Sequence, residues 1–512
     1  MGEAYLRDTP YIWGAYNELS PLFLNYICAL NGHRSPDIEK AFTYCELGSG
    51  NGVTVTALAE LYPHGSFYAI DFNQVHIDNC NFLLSDIDLK NIGFYKTDFN
   101  DLKSFPGPNF DYIVLHGVYS WVNAETRDNI RKFIASRLKE GGIVYISYDS
   151  LPGWSAITPL RDMVITHTKN MSGDTLTKAQ AGLDFLEFLK SNKAAFFEDN
   201  VTAGAFLEQI KDLPLEYISH EFFGDSVQPA YFQNIAHDME SAGLVFSGSA
   251  IPHLNFIDLA APSEFHDLLK KSATRIEFET HGDFIRNQRF RRDVFIKSED
   301  SMSEKEQEAL LMNLSFGTIC VQEDFKRSVA FGDVALNYVA DLFENLIQEL
   351  CTGAKSINQL KELSQFSAYQ PALILDAVRF LTAGGQVSPF SHATDAPAEK
   401  DLTANRYTLG GQYNLQILKH RLFAQESIGM AAINTGIVAE VAMSDALFAL
   451  CTAEAERDHV SDWAFQRLLE KRQEITTEND DQTQALAEAV EEFRRKRLPK
   501  FLEFGILTPV PD

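Results

Sequence analysis

Between residues 42 and 149 the sequence alternates short apolar runs with amphipathic helical segments, and no other feature limits the fold as strongly. The apolar runs read FTYCEL, SFYAIDF, IGFYKTDF, FDYIVLHGV and IVYISYDS. Strands that alternate with helices at this spacing predict an α/β fold with a doubly wound, parallel sheet and right-handed crossovers. Ligands of such sheets bind at the carboxyl ends of the strands. The functional residues are therefore expected at 46–52, Asp71, Asp98, 116–121 and 148–149.

The remaining segments are predicted to surround this sheet. Amphipathic stretches over 155–225 predict a helical insertion that caps the active face. In 226–300, a helix ending at Gly243 is followed by LVFSGSAIPHLNF, which we interpret as two strands that close the sheet as an antiparallel pair. The segments are predicted as follows: a helical N-terminal lid (1–40), the Rossmann-like core (41–154), the insertion (155–225), the closing strands with a basic segment (226–300), and a mainly helical, winged-helix-like C-terminal domain (301–512).

The net charge and the lengths of the apolar runs limit which partners the chain is expected to have. The chain has 512 residues and a net charge of −27, from 71 acidic and 44 basic side chains. This charge repels nucleic acid backbones, so we expect no nucleic acid partner. No apolar run reaches the roughly 18–20 residues of a membrane span, and the start lacks the pattern of a signal peptide. We therefore expect a cytoplasmic protein without stable membrane association. The six scattered cysteines predict neither disulfides nor a metal site.

The run ELGSGNG follows the first predicted strand and indicates a nucleotide-like cofactor. A phosphate-binding P-loop would need a lysine and Ser or Thr at its end, and here Gly52 precedes Val53 and Thr54. A dinucleotide fingerprint would place its third glycine at position 53. The pattern E-x-G-x-G-x-G instead resembles motif I of the class I S-adenosylmethionine (AdoMet) methyltransferases. This resemblance implies that AdoMet binds along Glu46, Gly48, Ser49, Gly50, Asn51 and Gly52.

Two further acids stand at the positions that the same resemblance requires. Asp71 ends the second strand, about twenty residues after the loop, where an acid would accept both ribose hydroxyl groups. Asp98 follows the third strand, where it would bond the adenine amino group, with Phe99 beside it for ring contact. The alternative for each acid is an ordinary helix cap. The predicted cofactor site is completed by four more residues: Phe72, His116, Gly117 and Tyr11.

Several longer segments resemble one family of methyltransferases. These segments are HGVYSWV, SYDSLPGW, HEFF, AYFQNIAHDMESAGL and RNQRFRRDVF. They are similar to the bacterial enzymes that carry a methyltransferase regulatory domain, whose best-known members are the rickettsial-type lysine methyltransferases of outer-membrane proteins. The resemblance covers about residues 5–300. It implies methyl transfer from AdoMet to a protein lysine, with S-adenosylhomocysteine (AdoHcy) as the product and no metal.

The acceptor site is expected between the ends of the fourth and fifth strands. Aromatic side chains there would lower the pKa of a lysine amine by burial and would contact its cation. We predict Tyr119, Trp121 and Tyr148 as catalytic residues, together with His116 as a base and Asp149. Ordinary core packing is the alternative for the aromatic residues, and a structural hydrogen bond is the alternative for His116. The predicted substrate contacts are Trp154, His220 and Glu221.

Three functions stay open at this point. The first is methylation of a protein side chain, with a lysine-bearing protein or peptide as the partner and the C-terminal domain recruiting it. The second is N- or O-methylation of a small molecule or a natural-product peptide. The third is a regulator that binds AdoMet without transferring a methyl group. A homodimer is an open alternative to a monomer.

Overall fold

The computed structural model describes residues 13–215, 218–219, 227–298, 300–424, 426–470 and 479–511. Its centre is a seven-stranded sheet in the order β3-β2-β1-β4-β5-β7-β6. Strands β1 to β5 are mutually parallel, and β7 is antiparallel to both β5 and β6. This confirms the predicted doubly wound α/β class. The strands are β1 (Thr43–Leu47), β2 (Ser66–Asp71), β3 (Ile92–Lys96), β4 (Phe110–Leu115), β5 (Leu138–Asp149), β6 (Val245–Ser249) and β7 (Phe290–Ile296).

Helices cover both faces of the sheet, which explains why its central strands read as continuous apolar runs. On one face Tyr44, Tyr112 and Tyr145 share a core with the first two helices. On the other face Ile113 and Val144 pack with the helix after β4. The helices that flank β1 to β5 are α1 (Pro21–Leu30), α2 (Val53–Leu61), α3 (Gln74–Leu83) and α4 (Ala124–Arg137).

The insertion between β5 and β6 is helical and has a small core of its own. Its buried residues include Leu160, Val164, Leu186 and Leu207. The helices are α5 (Thr158–Thr168), α6 (Thr175–Ser191), α7 (Ala195–Asp199) and α8 (Val201–Ile210).

The second closing strand lies elsewhere than predicted. Residues Pro252–Asn255 form a 3-10 turn, in which the Asn255 side chain accepts from the Ser249 N–H at 3.0 Å and donates to the Ser249 carbonyl at 2.8 Å. Strand β7 comes instead from the basic run FRRDVFI, whose Arg291 and Asp293 are buried in an ion cluster. The helices around it are α9 (Phe232–Ser241), α10 (Ile257–Ala260), α11 (His266–Lys270) and α12 (Arg275–Arg286).

The C-terminal part is mainly helical and packs against the sheet domain. Three of its short strands form a sheet in the order β11-β8-β12, beside the helices predicted as winged-helix-like. None of the helices in the described ranges is long and apolar enough to cross a membrane. The helices are α13 (Glu304–Asn313), α14 (Asp341–Thr352), α15 (Ile357–Leu360), α16 (Pro371–Ala383), α17 (Glu399–Leu402), α18 (Gln412–Arg421), α19 (Met443–Glu454), α20 (Val460–Glu470), α21 (Asn479–Lys496) and α22 (Leu498–Glu503). The strands are β8 (Ser315–Gly317), β9 (Ser328–Phe331), β10 (Val334–Asn337), β11 (Lys355–Ser356), β12 (Ser388–Phe390), β13 (Tyr407–Leu409), β14 (Ser427–Ala432), β15 (Ile437–Ala442) and β16 (Leu507–Pro509).

The hairpin of β14 and β15 contacts both α2 and the residues just before α1. We call residues 13–19 the lid segment. The Val438 N–H donates to Asn17 Oδ1 at 3.0 Å, and a Cβ on Gly429 would lie 2.1 Å from the Cβ of Ala15. The Arg421 guanidinium lies 4.0 Å from the ring centre of Trp13. The lid segment is therefore held by the C-terminal part on one side and the sheet domain on the other.

Candidate active site

The glycine loop between β1 and α2 has a backbone that other residues could not adopt easily. Gly48 and Gly52 have φ angles of +81° and +71°, in the left-handed region that favours glycine. A Cβ on Gly48 would lie 2.3 Å from Cγ2 of Val118, and one on Gly52 would lie 2.7 Å from Sγ of Cys80. These two glycines are thus required by the chain's own packing, before any cofactor is considered.

Asp71, at the end of β2, holds this loop in place by hydrogen bonds to backbone N–H groups. It is 4% exposed. Its Oδ2 accepts from the Gly50 N–H at 3.0 Å, and its Oδ1 accepts from the Asn73 N–H at 2.8 Å. Nδ1 of His76 lies 3.2 Å from the same Oδ2. The carboxylate therefore holds the loop and the start of α3 together, while its contact with ribose hydroxyl groups stays a prediction.

Glu46 precedes the loop and is more isolated. It is 5% exposed, and within the described part of the chain its Oε2 is buried without a hydrogen-bond partner. Burial, and secondly the charge of Asp71, raise the pKa of Glu46 to about 8. A buried carboxylate oxygen without a donor is costly. An ammonium group, such as the one on the methionine part of AdoMet, would supply both the donor and the countercharge.

Three further residues are predicted to contact the cofactor: Asp98 and Phe99 at the adenine, and Phe72. The Asp98 carboxylate caps the 3-10 helix Phe99–Ser104 by accepting from the Asn100 N–H at 2.9 Å, which leaves its adenine contact a prediction. Phe72 follows Asp71 and is half-buried, and its cofactor contact also stays a prediction. Phe99 is 2% exposed and packs in the core with Leu102, so its ring has almost no surface to offer an adenine.

His116 lies at the end of β4 in an aromatic enclosure. Its ring stacks on Tyr16 with centroids 4.1 Å apart, and Nδ1 lies 2.9 Å from the Tyr145 hydroxyl. Phe290 approaches edge-on at 6.2 Å. Burial, and secondly the charge of Arg292, lower the pKa of His116 to about 3. His116 is therefore neutral at pH 7, and it is too weak a base for the predicted role of removing a proton from an ammonium group.

Tyr119 and Tyr148 turn away from the expected acceptor site. Both are almost completely buried. The Tyr119 hydroxyl donates to Asp238 Oδ2 at 3.0 Å, and the Tyr148 hydroxyl donates to Asp293 Oδ2 at 2.6 Å. These carboxylates lie on α9 and on β7. The two tyrosines therefore join the sheet to its closing part, and their roles as catalytic residues stay a prediction.

The other predicted acceptor residues lie near the ends of β4 and β5. Trp121 ends a 3-10 turn and is half-buried, so part of its ring stays open to a substrate. Asp149 is 6% exposed, and its N–H donates to Ser120 Oγ at 2.7 Å. The Gly117 N–H donates to Ser147 Oγ at 2.8 Å, which joins the two strand ends. Trp154 is 6% exposed. Three predicted residues lie outside the described ones: Tyr11, His220 and Glu221.

The sequence reasoning missed several residues around His116. Tyr16 and Glu18 come from the lid segment, and Phe290 and Arg292 come from β7. Glu18 Oε1 forms an ion pair with Arg292 Nη1 at 3.0 Å. Tyr145 could have been found from the sequence. It lies on β5 two residues before Ser147, and side chains two residues apart in a strand lie on the same face of the sheet. The lid and β7 residues could be found only once the closing strand was assigned correctly.

These residues fit AdoMet on the evidence of the site itself. The glycine loop, the two buried acids and the aromatic enclosure meet where strand order reverses, between β1 and β4. Within the described ranges, no group of three or more His, Cys, Asp or Glu side chains could hold a metal ion. The absence of a metal in the reaction stays a prediction.

Comparisons with known proteins agree with this site. A family described as a methyltransferase domain matches residues 38–218, and one described as a predicted methyltransferase regulatory domain matches residues 214–297. An uncharacterized protein of Synechocystis sp. is 29% identical to this chain, and the match covers 98% of this chain and 99% of that protein. An uncharacterized protein of Rickettsia prowazekii is 31% identical over 44% of this chain and 89% of its own.

The fold also matches solved structures over nearly its whole length. PKMT2 from Rickettsia typhi, solved in complex with AdoHcy, superimposes with a TM-score of 0.75 at 20% identity, covering 97% of this chain and 100% of that chain. A second structure of PKMT2 gives a TM-score of 0.74 at 19% identity, with the same coverage. The chain therefore belongs to the class I AdoMet-dependent methyltransferases that carry a methyltransferase regulatory domain.

Proposed function

We propose that this methyltransferase acts on a protein or peptide and that its methyl acceptor is the side-chain amine of lysine. AdoMet supplies an electrophilic methyl group on a sulfonium. The acceptor must therefore be neutral when it attacks. A free lysine amine has a pKa near 10.4, so presenting it neutral at pH 7.4 costs about 4 kcal/mol. The site has to reduce this cost.

The environment of His116 is the observation that carries the proposal. Burial and the nearby Arg292 disfavour the charged form of this imidazole strongly enough to lower its pKa to about 3. Burial, the larger of the two effects, acts in the same way on any protonatable group placed beside His116. A lysine ammonium that enters next to His116 would lose its proton to solvent more readily than a free lysine does. His116 then acts by hydrogen bonding and by shape, and not as the base.

Other features support a protein acceptor. The aromatic rings of Tyr16, His116 and Phe290, with the half-buried Trp121 nearby, suit the aliphatic stem of a lysine. The net charge of −27 favours a basic partner over an acidic one. The fold shared with PKMT2 and the resemblance to rickettsial-type protein lysine methyltransferases point to the same class of acceptor.

The test is to incubate the protein with methyl-labelled AdoMet and a cell lysate, and to locate the label by mass spectrometry. We expect label on lysine Nε atoms of one or a few proteins. The rate should rise with pH from 6 and reach a plateau below pH 10.4, where the bound amine becomes neutral. Asp71→Ala, which disturbs the glycine loop, serves as the inactive control. Label on a base-labile ester, or only on small molecules, would contradict the lysine acceptor and leave the methyltransferase class intact.

A further inference from the structure

Arg292 connects the regulatory part of the chain, by which we mean residues 214–297, to the candidate active site. It lies on β7 opposite Ser147 of β5, and Ser147 Oγ accepts from the Gly117 N–H at the end of β4. Its guanidinium carbon lies 5.7 Å from the ring centre of Phe290. Arg292 therefore lies beside the carboxyl ends of β4 and β5, on the face of the sheet that carries the lid segment.

The guanidinium group is only partly paired. Nη1 forms an ion pair with Glu18 Oε1 at 3.0 Å, whereas Nε is buried without a hydrogen-bond partner in the described part of the chain. Nε and Nη2 form one edge of the planar guanidinium, and this edge matches the two oxygens of a carboxylate. A buried N–H without an acceptor costs stability. The geometry thus leaves a fork that is complementary to a carboxylate.

A second buried group without a hydrogen-bond partner lies in the same neighbourhood. Glu46 Oε2 is also buried without a partner among the described residues. On β1, Glu46 pairs with Val114 of β4, two residues before His116, and the rings of Tyr16 and Phe290 both contact His116. A carboxyl group without a donor and a guanidinium edge near the same rings suit a ligand that carries an ammonium and a carboxylate on a single carbon.

We propose that Arg292 binds the carboxylate of the methionine part of AdoMet through its Nε and Nη2 atoms, while Glu46 binds the ammonium group of the same amino-acid moiety. The regulatory part of the chain thereby supplies one of the cofactor ligands. The inference depends on AdoMet as the cofactor and not on the identity of the methyl acceptor.

The test compares two ligands by calorimetry: AdoHcy, and its decarboxylated counterpart, in which hydrogen replaces the α-carboxylate. The wild-type protein should bind AdoHcy more tightly. Arg292→Met should weaken AdoHcy binding about ten- to a hundred-fold and should change binding of the decarboxylated ligand less than about threefold. Glu46→Gln should weaken both ligands by similar factors, because both keep the ammonium group.

Two further variants guard against a purely structural effect. Arg292→Lys keeps the charge and the stem but loses the fork, so it should still lose affinity for AdoHcy selectively. Arg289→Met is the matched control, because Arg289 is exposed and the one hydrogen bond described for its side chain is to Gln209, at 3.2 Å. It should bind both ligands as the wild type does. Equal losses for the two ligands in Arg292→Met, or no loss for either, would overturn the proposal without affecting the lysine assignment.

Discussion

At the scale of single residues, the site contains two buried acids with opposite surroundings. Asp71 accepts hydrogen bonds from two backbone N–H groups, at Gly50 and Asn73. Glu46 has an oxygen without a donor in the described part of the chain. A carboxyl group that is buried without donors tends to keep its proton. Asp71 therefore holds the loop through its hydrogen bonds, and Glu46 is the acid whose charge state a ligand can change.

Cofactor binding should release a proton from Glu46. Its pKa is about 8 because of burial and, secondly, because of Asp71. A bound ammonium group favours the carboxylate and lowers this pKa, so binding between the bound pKa and pH 8 expels up to one proton. The affinity for AdoHcy should fall as the pH falls below 8, by at most tenfold per pH unit. Calorimetry in buffers of different ionisation enthalpy measures the proton count, and Glu46→Gln should abolish this release.

Asp71→Ala should weaken both the fold and cofactor binding. The change leaves the Gly50 and Asn73 N–H groups without their acceptor, at a cost of about 1–3 kcal/mol for a buried donor. For stability alone, Asp98→Ala is the comparison, because it removes a partly exposed cap worth about 1 kcal/mol. Urea unfolding and AdoHcy calorimetry measure the two effects. Unchanged AdoHcy affinity in Asp71→Ala would remove this residue from the cofactor site.

The lowered pKa of His116 predicts a pH dependence of stability. Its pKa is about 3 in the folded chain, below the ordinary value of 6.5. The unfolded chain therefore binds more protons between these two values. The contribution to the free energy of unfolding is fully present above pH 6.5 and is lost as the pH falls towards 3, by up to about 1.4 kcal/mol per pH unit. Urea unfolding of the wild type and His116→Asn should show curves that converge as the pH falls from 7 to 4. Parallel curves would contradict the buried neutral imidazole.

The sequence could place residues together where local order along the chain decides the geometry. The glycine loop, Glu46 and Asp71 meet because each ends or follows a parallel strand, and strand ends meet at one edge. Tyr119 and Tyr148 also stand near strand ends, yet their hydroxyl groups bond Asp238 and Asp293. Those partners lie more than a hundred residues away in the chain. No local pattern could give the direction of these two side chains.

At the scale of elements, strand β7 shows why a buried strand with charged residues is difficult to recognise in a sequence. Arg291 is 1% exposed and bonds Asp283, Glu279 and Asp293, at 2.6, 3.2 and 2.9 Å. The guanidinium carbon of Arg291 lies 4.1 Å from the ring centre of Phe232. Charged residues at alternate positions normally indicate a solvent-facing side. Here they face inward, because α12 supplies two of the compensating carboxylates.

Arg291→Met should therefore destabilise the protein strongly. Removing the guanidinium leaves three buried carboxylates without their shared cation, and breaking such a cluster from one side costs about 3–5 kcal/mol. Arg289→Met, two residues earlier and exposed, should change the free energy of unfolding by less than about 0.5 kcal/mol. Urea unfolding at pH 7 makes the comparison. Similar stability of the two variants would show that the buried cluster contributes little.

At the scale of the whole molecule, one core joins the sheet domain to the C-terminal part. Leu22, Phe23 and Tyr26 of α1 belong to the same buried cluster as Phe316 and Leu346. The rings of Tyr26 and Phe316 meet edge to face at 5.9 Å. Glu60 of α2 accepts from the Gln412 and Tyr413 N–H groups at the start of α18, at 2.6 and 2.9 Å. The C-terminal part is thus more than a separate recruiting module.

A chain truncated after Lys297 should fail to form a stable cofactor site. The truncation would expose the apolar faces of α1 and α2, and it would release the lid segment from β14 and β15. We expect a broad, weakly cooperative unfolding transition and loss of AdoHcy binding, measured by urea titration and calorimetry. Supplying residues 301–512 as a second chain should restore part of both. A truncated chain with a sharp transition and wild-type affinity would show that the shared core is dispensable.

The placement of the lid segment has a consequence for the order of synthesis. Residues 13–19 leave the ribosome well before Gly429 and Val438, their partners in β14 and β15. At about 5–20 residues per second, the lid waits tens of seconds for its partner. Tyr16 and Glu18 are fixed against His116 and Arg292 only when most of the chain has emerged. A nascent chain therefore carries its glycine loop well before the lid segment can be held by β14 and β15, and we expect methyl transfer only after that contact has formed.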